Sequence, residues 1–332
     1  MKHNPFNTSM VFMLALVMTL SFSCKQEKKK ETSETPETEE VAMQEQTEFP
    51  LSLAQWSIHR MIWDGTDPYS FAEKAHGWGF TGLEYVSQLY NKELEAAGFS
   101  EEAMNNFVAR SNAEAEKYGL TNLIIMIDGQ GDLATSDAEE RKSAVENHFK
   151  WVDAAAGLGC HSIRVNLSGS TDPAEWVPNA VDGLTQLATY AKDKNINIIV
   201  ENHGGLSSDA TLLAEVMSTV NMENCGTLPD FGNFCIRRND PSDYSKGCAE
   251  MYDMYKGVEE LMPFAKAVSA KSHNFDEAGN ETDIDYGKML QIVKSAGYSG
   301  FIGVEYEGNE LSEEEGIIAT RDLILREAKM LQ

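Results

Sequence analysis

The sequence predicts an α/β chain folded as one (β/α)8 TIM barrel over residues 50–332. Three observations point there. From Leu51 onward, short β-rich runs alternate with longer amphipathic stretches, and eight such units follow one another. The span of roughly 280 residues suits an eight-unit barrel. No glycine-rich fingerprint follows the first strand and no half-chain boundary is visible, which disfavours the rival, a doubly wound open sheet.

Leu51–Ser57 reads as the first strand and Pro68–Trp78 as its returning helix. Gly82–Val86 is the second strand, followed by a helix over Glu101–Tyr118. Asn122–Ile127 leads into the long helix Ala138–Ala156. Ser162–Leu167 precedes a helix over Ala180–Lys192, where Val181, Leu184, Leu187, Ala188 and Ala191 keep helical spacing. Ile196–Val200 precedes Ala210–Val220. Cys225–Leu228 is the sixth strand, and Val258–Phe264 lies in its helix after a long loop. Val268–Lys271 precedes Tyr286–Ala296, and Phe301–Val304 precedes the last helix, about Glu313–Leu331. Gly119, Gly159, Asn195 and Gly297 mark helix exits, because they adopt left-handed backbone most easily.

Residues 1–23 read as a signal peptide of the lipoprotein kind. Lys2 gives a positive start, and Met10–Phe22 is an apolar run too short for a stable membrane span. It ends Ser21-Phe22-Ser23-Cys24, so Cys24 is expected to become the lipidated first residue of an exported chain held in the cell envelope. Leu20 stands one place further out than the usual leucine; conventional cleavage near Ser23, releasing a soluble protein, is the alternative. Residues 24–49 are a tether rich in Lys, Glu and Thr that cannot bury enough apolar surface to fold.

With 27 Lys+Arg against 53 Asp+Glu, the chain carries a formal net charge of −26. Such a surface repels nucleic acid and anionic lipid, so nucleic-acid partners are not expected and membrane association would run through lipid on Cys24 alone. Among Cys160, Cys225, Cys235 and Cys248, free and mostly buried thiols are expected, with Cys235 and Cys248 the best candidates for a disulfide. Oligomeric state is not legible.

A barrel builds its active site at the C-terminal strand ends. The last four strands end in Val200-Glu201-Asn202-His203-Gly204-Gly205, Leu228-Pro229-Asp230-Phe231-Gly232-Asn233, Lys271-Ser272-His273 and Val304-Glu305-Tyr306-Glu307. Glu201, Asp230, His273 and Glu305 should therefore point into one mouth. Three carboxylates and one imidazole suit a single divalent ion such as Mn²⁺, Mg²⁺, Co²⁺ or Zn²⁺.

This ordered Glu, Asp, His, Glu set, with its V-E-N-H-G-G and P-D-F-G-N segments, resembles the xylose isomerase-like barrels, specifically their sugar isomerase/epimerase branch. The resemblance covers about residues 50–332. It implies a metal bound by Glu201, Asp230, His273 and Glu305, a carbohydrate substrate, and catalysis by Glu201 and Glu305. One glutamate takes a proton from the carbon beside a metal-polarised carbonyl, and the other returns or delivers one. Asn233 stands where several epimerases carry a His, and Asn274, Phe275 and Asp276 follow His273 in place of a substrate-gripping Arg.

Other residues are candidates for holding substrate. Lys271 shares a strand face with His273 and would bind a substrate oxygen or pair with a carboxylate inside the barrel. Arg164 and Asn166 share a face of the fourth strand, Arg164 being either a clamp or half of an ion pair. His203 would contact substrate or cap its loop, and Glu84 would hold hydroxyls or neutralise Arg164. Asn233 is a further candidate for binding substrate, and Trp56 and Phe231 would offer an apolar wall to a sugar face.

The expected function is a metal-dependent sugar isomerase or epimerase. The same apparatus could instead eliminate the aglycone from a 3-keto-glycoside, and a non-catalytic sugar-binding lipoprotein is the alternative outside enzymes. The DNA-repair endonucleases that share this barrel are excluded: they need many histidines and a basic face, whereas seven His are scattered over a chain of charge −26.

Overall fold

The computed structural model describes residues 49–331 apart from 241, 244 and 245. The leader, Cys24 and the tether up to residue 48 lie outside the described residues. The eight barrel strands are β1 (Leu51–Ala54), β2 (Gly82–Val86), β3 (Thr121–Ile127), β4 (Ser162–Val165), β5 (Asn197–Glu201), β6 (Cys225–Leu228), β9 (Val268–Ser272) and β10 (Ile302–Tyr306). They form one parallel sheet in the order β6-β5-β4-β3-β2-β1-β10-β9. Its two end strands meet through the bridges Thr227↔Ala265 and Asp230↔Ser269, and Ser269 N donates to Pro229 O (2.9 Å) across that seam.

Helices cover the sheet: α2 (Phe71–Gly77), α4 (Glu101–Tyr118), α5 (Ala138–Leu158), α6 (Pro173–Lys192), α7 (Ala210–Val220), α8 (Met254–Leu261), α9 (Tyr286–Ser295) and α10 (Glu313–Met330). Two short helices, α1 (His59–Trp63) and α3 (Asn91–Ala96), sit in the loops after β1 and β2. Strands covered on both faces need near-continuous apolar runs, which is why Leu123 to Ile127 are all buried. Most of the long helices start at a side-chain cap. Asp137, Asp172, Asp209, Asp253 and Asp285 each accept a backbone N–H of the first turn, and Ser312 forms a reciprocal capping box with Glu315. Gly119 (φ 67°) and Gly159 (φ 74°) end α4 and α5 in the left-handed conformation.

Three sequence expectations are corrected. The first strand stops at Ala54, because the buried Gln55 leaves the ladder: its amide donates to Tyr90 Oη (2.9 Å) and its carbonyl accepts from Val86 N (3.1 Å). Helix α6 starts seven residues before Ala180, where Asp172 caps it and Pro173 supplies a pre-set first turn. The long loop before α8 holds an antiparallel hairpin of β7 (Cys235–Arg238) and β8 (Cys248–Met251). The pairing brings Cys235 and Cys248 to a Cα separation of 5.8 Å, and they form a disulfide rather than free thiols. Cys160 and Cys225 are free. Among the described residues, no helix is long and apolar enough to cross a membrane.

Candidate active site

Three carboxylates converge at the strand ends. Glu201 closes β5, Asp230 follows β6 by two residues, and Glu305 lies on β10; one oxygen from each lies within 4.8 Å of the others. All three are buried. Asn202, which the sequence reading passed over, sets this geometry: its amide donates to Asp230 O (3.0 Å) and its carbonyl accepts from Asp230 N (2.8 Å). Asp230 Oδ1 then takes the N–H groups of Gly232 (2.9 Å) and Asn233 (2.8 Å), so the P-D-F-G-N turn folds around its own carboxylate. Asn233 Nδ2 donates to Glu201 Oε1 (3.0 Å), tying the β6 loop to β5.

Two cations face the cluster. Lys271 Nζ lies 3.0 Å from Glu305 Oε2, 3.1 Å from Glu307 Oε1 and 3.9 Å from Asp230 Oδ2. Arg164 Nε lies 2.9 Å from Glu201 Oε2 without the alignment of a hydrogen bond, and both atoms are buried with no hydrogen-bond partner. Arg164 also donates to Asp128 Oδ1 (3.1 Å) and to Asn166 Oδ1 (3.1 Å), and Asn166 returns a bond to Asp128 (2.7 Å). In the folded chain Arg164 and Lys271 both stand in ion pairs. Asp128, on the β3 loop, was not singled out from sequence.

Burial pushes Glu201 up, against the opposing pull of Arg164, and pushes Asp230 up against that of Lys271. Glu84 on β2 is wholly buried and pushed up to about 7 by desolvation, although Ser52 Oγ donates to it at 2.6 Å. Its other oxygen has no partner. Asp128 and Glu307 go the other way: burial raises them, but the guanidinium of Arg164 and the ammonium of Lys271 hold them below their ordinary range.

The remaining sequence candidates divide. His203 is exposed, with its backbone N–H on Ser207 Oγ (3.1 Å). His273 follows the end of β9 and is not among the converging ligand atoms; its backbone N–H points to Glu281 Oε1 (3.3 Å). Trp56 stacks on His59 at 4.4 Å between ring centroids and meets the edge of Trp63, which is 60% exposed. Phe231 is wholly buried against Tyr286, so its ring offers no open face. A groove of about 710 Å³ on the barrel wall between α8 and α9 shares no lining residue with the carboxylates. The chemistry sits at the strand ends.

A divalent ion meets a mixed reception here. Three hard oxygens, one from each carboxylate, suit one. The fourth ligand expected from sequence is not part of the group, and a lysine ammonium lies among the oxygens instead. The three carboxylates could hold a divalent ion, but the four-ligand set that the sequence motif implies is not assembled.

The family model of the xylose isomerase-like TIM barrel matches residues 72–328. Among solved structures, a D-tagatose 3-epimerase-like protein superposes with a TM-score of 0.63 at 16% identity, covering 85% of this chain and 98% of that one. The IOLI protein with a bound zinc atom gives 0.61 at 14% identity, covering 85% and 99%. The probable 3-DHS dehydratase AsbF of Bacillus anthracis gives 0.58 at 14%, covering 83% and 98%. At such identities these likenesses show the fold. Among curated proteins, none matches. With eight parallel strands in barrel order and a family model spanning most of its length, the chain belongs to the xylose isomerase-like TIM barrel family.

Proposed function

We propose that this chain is a sugar isomerase or epimerase that moves a proton at the carbon beside a carbonyl. One observation carries the reading: Glu201, buried and held toward neutrality, keeps an oxygen without a hydrogen bond beside a second buried carboxylate, Glu305. A proton acceptor working near neutral pH needs raised proton affinity and an oxygen not committed to a hydrogen bond; here the ion pair of that oxygen with Arg164 Nε (2.9 Å) gives way to substrate. Glu201 takes the proton, and Glu305 supplies or receives one on the other side of the reacting carbon. Arg164 and Lys271 face these carboxylates and offset the negative charge that develops on the substrate oxygens. The Trp56–His59–Trp63 cluster after β1 offers an apolar face to a sugar ring.

Relatives described as 3-epimerases of sugars support this substrate class, and the described dehydratase supports elimination as the second reading for the same proton abstraction. The test is incubation in D₂O with ketoses, aldoses and 3-keto-glycosides, followed by NMR. Deuterium entering beside the carbonyl is expected, and a released aglycone would mark elimination. No exchange across the panel, with sugar binding intact, would leave a binding protein. We propose also that the chain is exported and anchored by lipid on Cys24. Cys24→Ser should then move the protein from the membrane to the soluble fraction, and unchanged partitioning would refute the anchor.

A further inference from the structure

The Lys271 side chain reaches two of the three carboxylates that would hold an ion, Glu305 and Asp230. Its ammonium touches Glu305 and Glu307 and lies 3.9 Å from Asp230, while the side chain is only 2% exposed. Strand alternation puts Ser269 and Lys271 on the same inner face of β9, and the Ser269 hydroxyl lies 2.7 Å from Asp230 Oδ2 and 3.1 Å from Glu305 Oε2. Two neighbouring side chains of one strand thus engage oxygens of Asp230 and Glu305, two of the three carboxylates that a metal would need.

The fold is shaped around this lysine. A Cβ on Gly232 would come within 3.0 Å of Lys271 Cγ, so the glycine of P-D-F-G-N leaves room for the stem. Tyr286 Oη donates to Lys271 O (2.7 Å), which fixes the strand at that residue. A long cation buried this deeply, with three carboxylates around its head, cannot leave for solvent without abandoning them. A divalent ion bound to the same oxygens would sit against a like charge.

We infer that Lys271 is the resident cation of this site: its ammonium stands in for the divalent metal ion, and the folded protein binds no such ion there. The inference goes beyond the catalytic reading and does not depend on it.

The test uses the full chain purified in detergent, with metal content by mass spectrometry and calorimetric titration with Mn²⁺ and Zn²⁺. Wild type should carry far less than one equivalent and show no saturable Mn²⁺ binding below ~1 mM, whereas Lys271→Ala and Lys271→His should gain at least ~10-fold in affinity once the ammonium is gone. Near one equivalent of chelatable metal in wild type would overturn the inference. So would folded Lys271 variants that take up no ion. The wild-type measurement decides alone if the variants do not fold. None of these readouts needs a substrate, so a failure of the isotope-exchange experiment leaves this result standing.

Discussion

Glu84 shows how one buried acid shapes the response to pH. Its folded pKa of about 7 lies above the ordinary 4.5, so the fold prefers it protonated. Its contribution to stability is complete below about 4.5 and is lost as pH rises through about 7, a change of the order of 3 kcal/mol. Glu84→Gln should therefore flatten the fall in melting temperature between pH 4.5 and 7.5, measured by calorimetry at both ends. An unchanged slope would mean that Glu84 is ionised in the fold. At the proton-transfer pair, Glu201→Gln and Glu305→Gln should keep the fold and lose at least ~100-fold in turnover on whichever substrate exchanges deuterium. The base variant should also lose exchange; normal turnover in both would exclude the two-glutamate mechanism. Residue identities at the strand ends were legible because a barrel fixes where its strands point. Three of the four expected ligands converge, while His273 lies past the last residue of β9, where its backbone turns toward Glu281. Asn202 and Asp128 stayed hidden because their importance comes only from what the fold sets beside them.

At the scale of elements, the β7–β8 hairpin is the feature that periodicity missed. Its strands have four residues each, none of them buried, and pair with register shifts, so no alternation of apolar and polar residues announces them. The disulfide closes a loop with a sequence separation of 13, which is worth at most about 3 kcal/mol by loop entropy. Replacing both cysteines by serine should speed proteolytic cutting within residues 236–247 and leave far-UV circular dichroism of the barrel unchanged. Equal cutting rates would show that β-pairing alone holds the hairpin. The helices were far more legible, since caps and exits are local chemistry. Ser312→Ala removes the hydroxyl half of the α10 capping box, leaving the backbone N–H of residue 312 on the Glu315 carboxylate, and should cost about 1 kcal/mol in chemical denaturation.

For the whole molecule, charge matters more than any single pair. Lys2 and the tether between Lys25 and Glu48 (net −4) leave −23 on residues 49–332. Self-repulsion of that size is screened over about 8 Å at physiological ionic strength, so the melting temperature should rise when salt increases from low to physiological levels. A melting temperature that falls with salt would show that attractive pairs such as Arg141–Asp182 outweigh the net field. The eightfold alternation was readable from sequence because each unit is built from local pattern. Closure followed from the count of eight units, but the groups that make the join were not readable, since they come from strands far apart in the chain.

That closure has a consequence of its own. Seven neighbouring strand pairs share regular ladders, but β6 and β9 meet through bridges, and the side chains of Asp230, Ser269 and Lys271 complete the join. The barrel is thus sewn shut by the same groups that would meet a ligand. Amide protons at this join, such as those of Phe231 and Ser269, should exchange with deuterated solvent sooner than those within β3 or β4. A molecule that draws Asp230 or Lys271 toward itself loosens the stitching, and one that spans both tightens it. Occupancy of the mouth would then be audible in the exchange rate of backbone that no ligand touches.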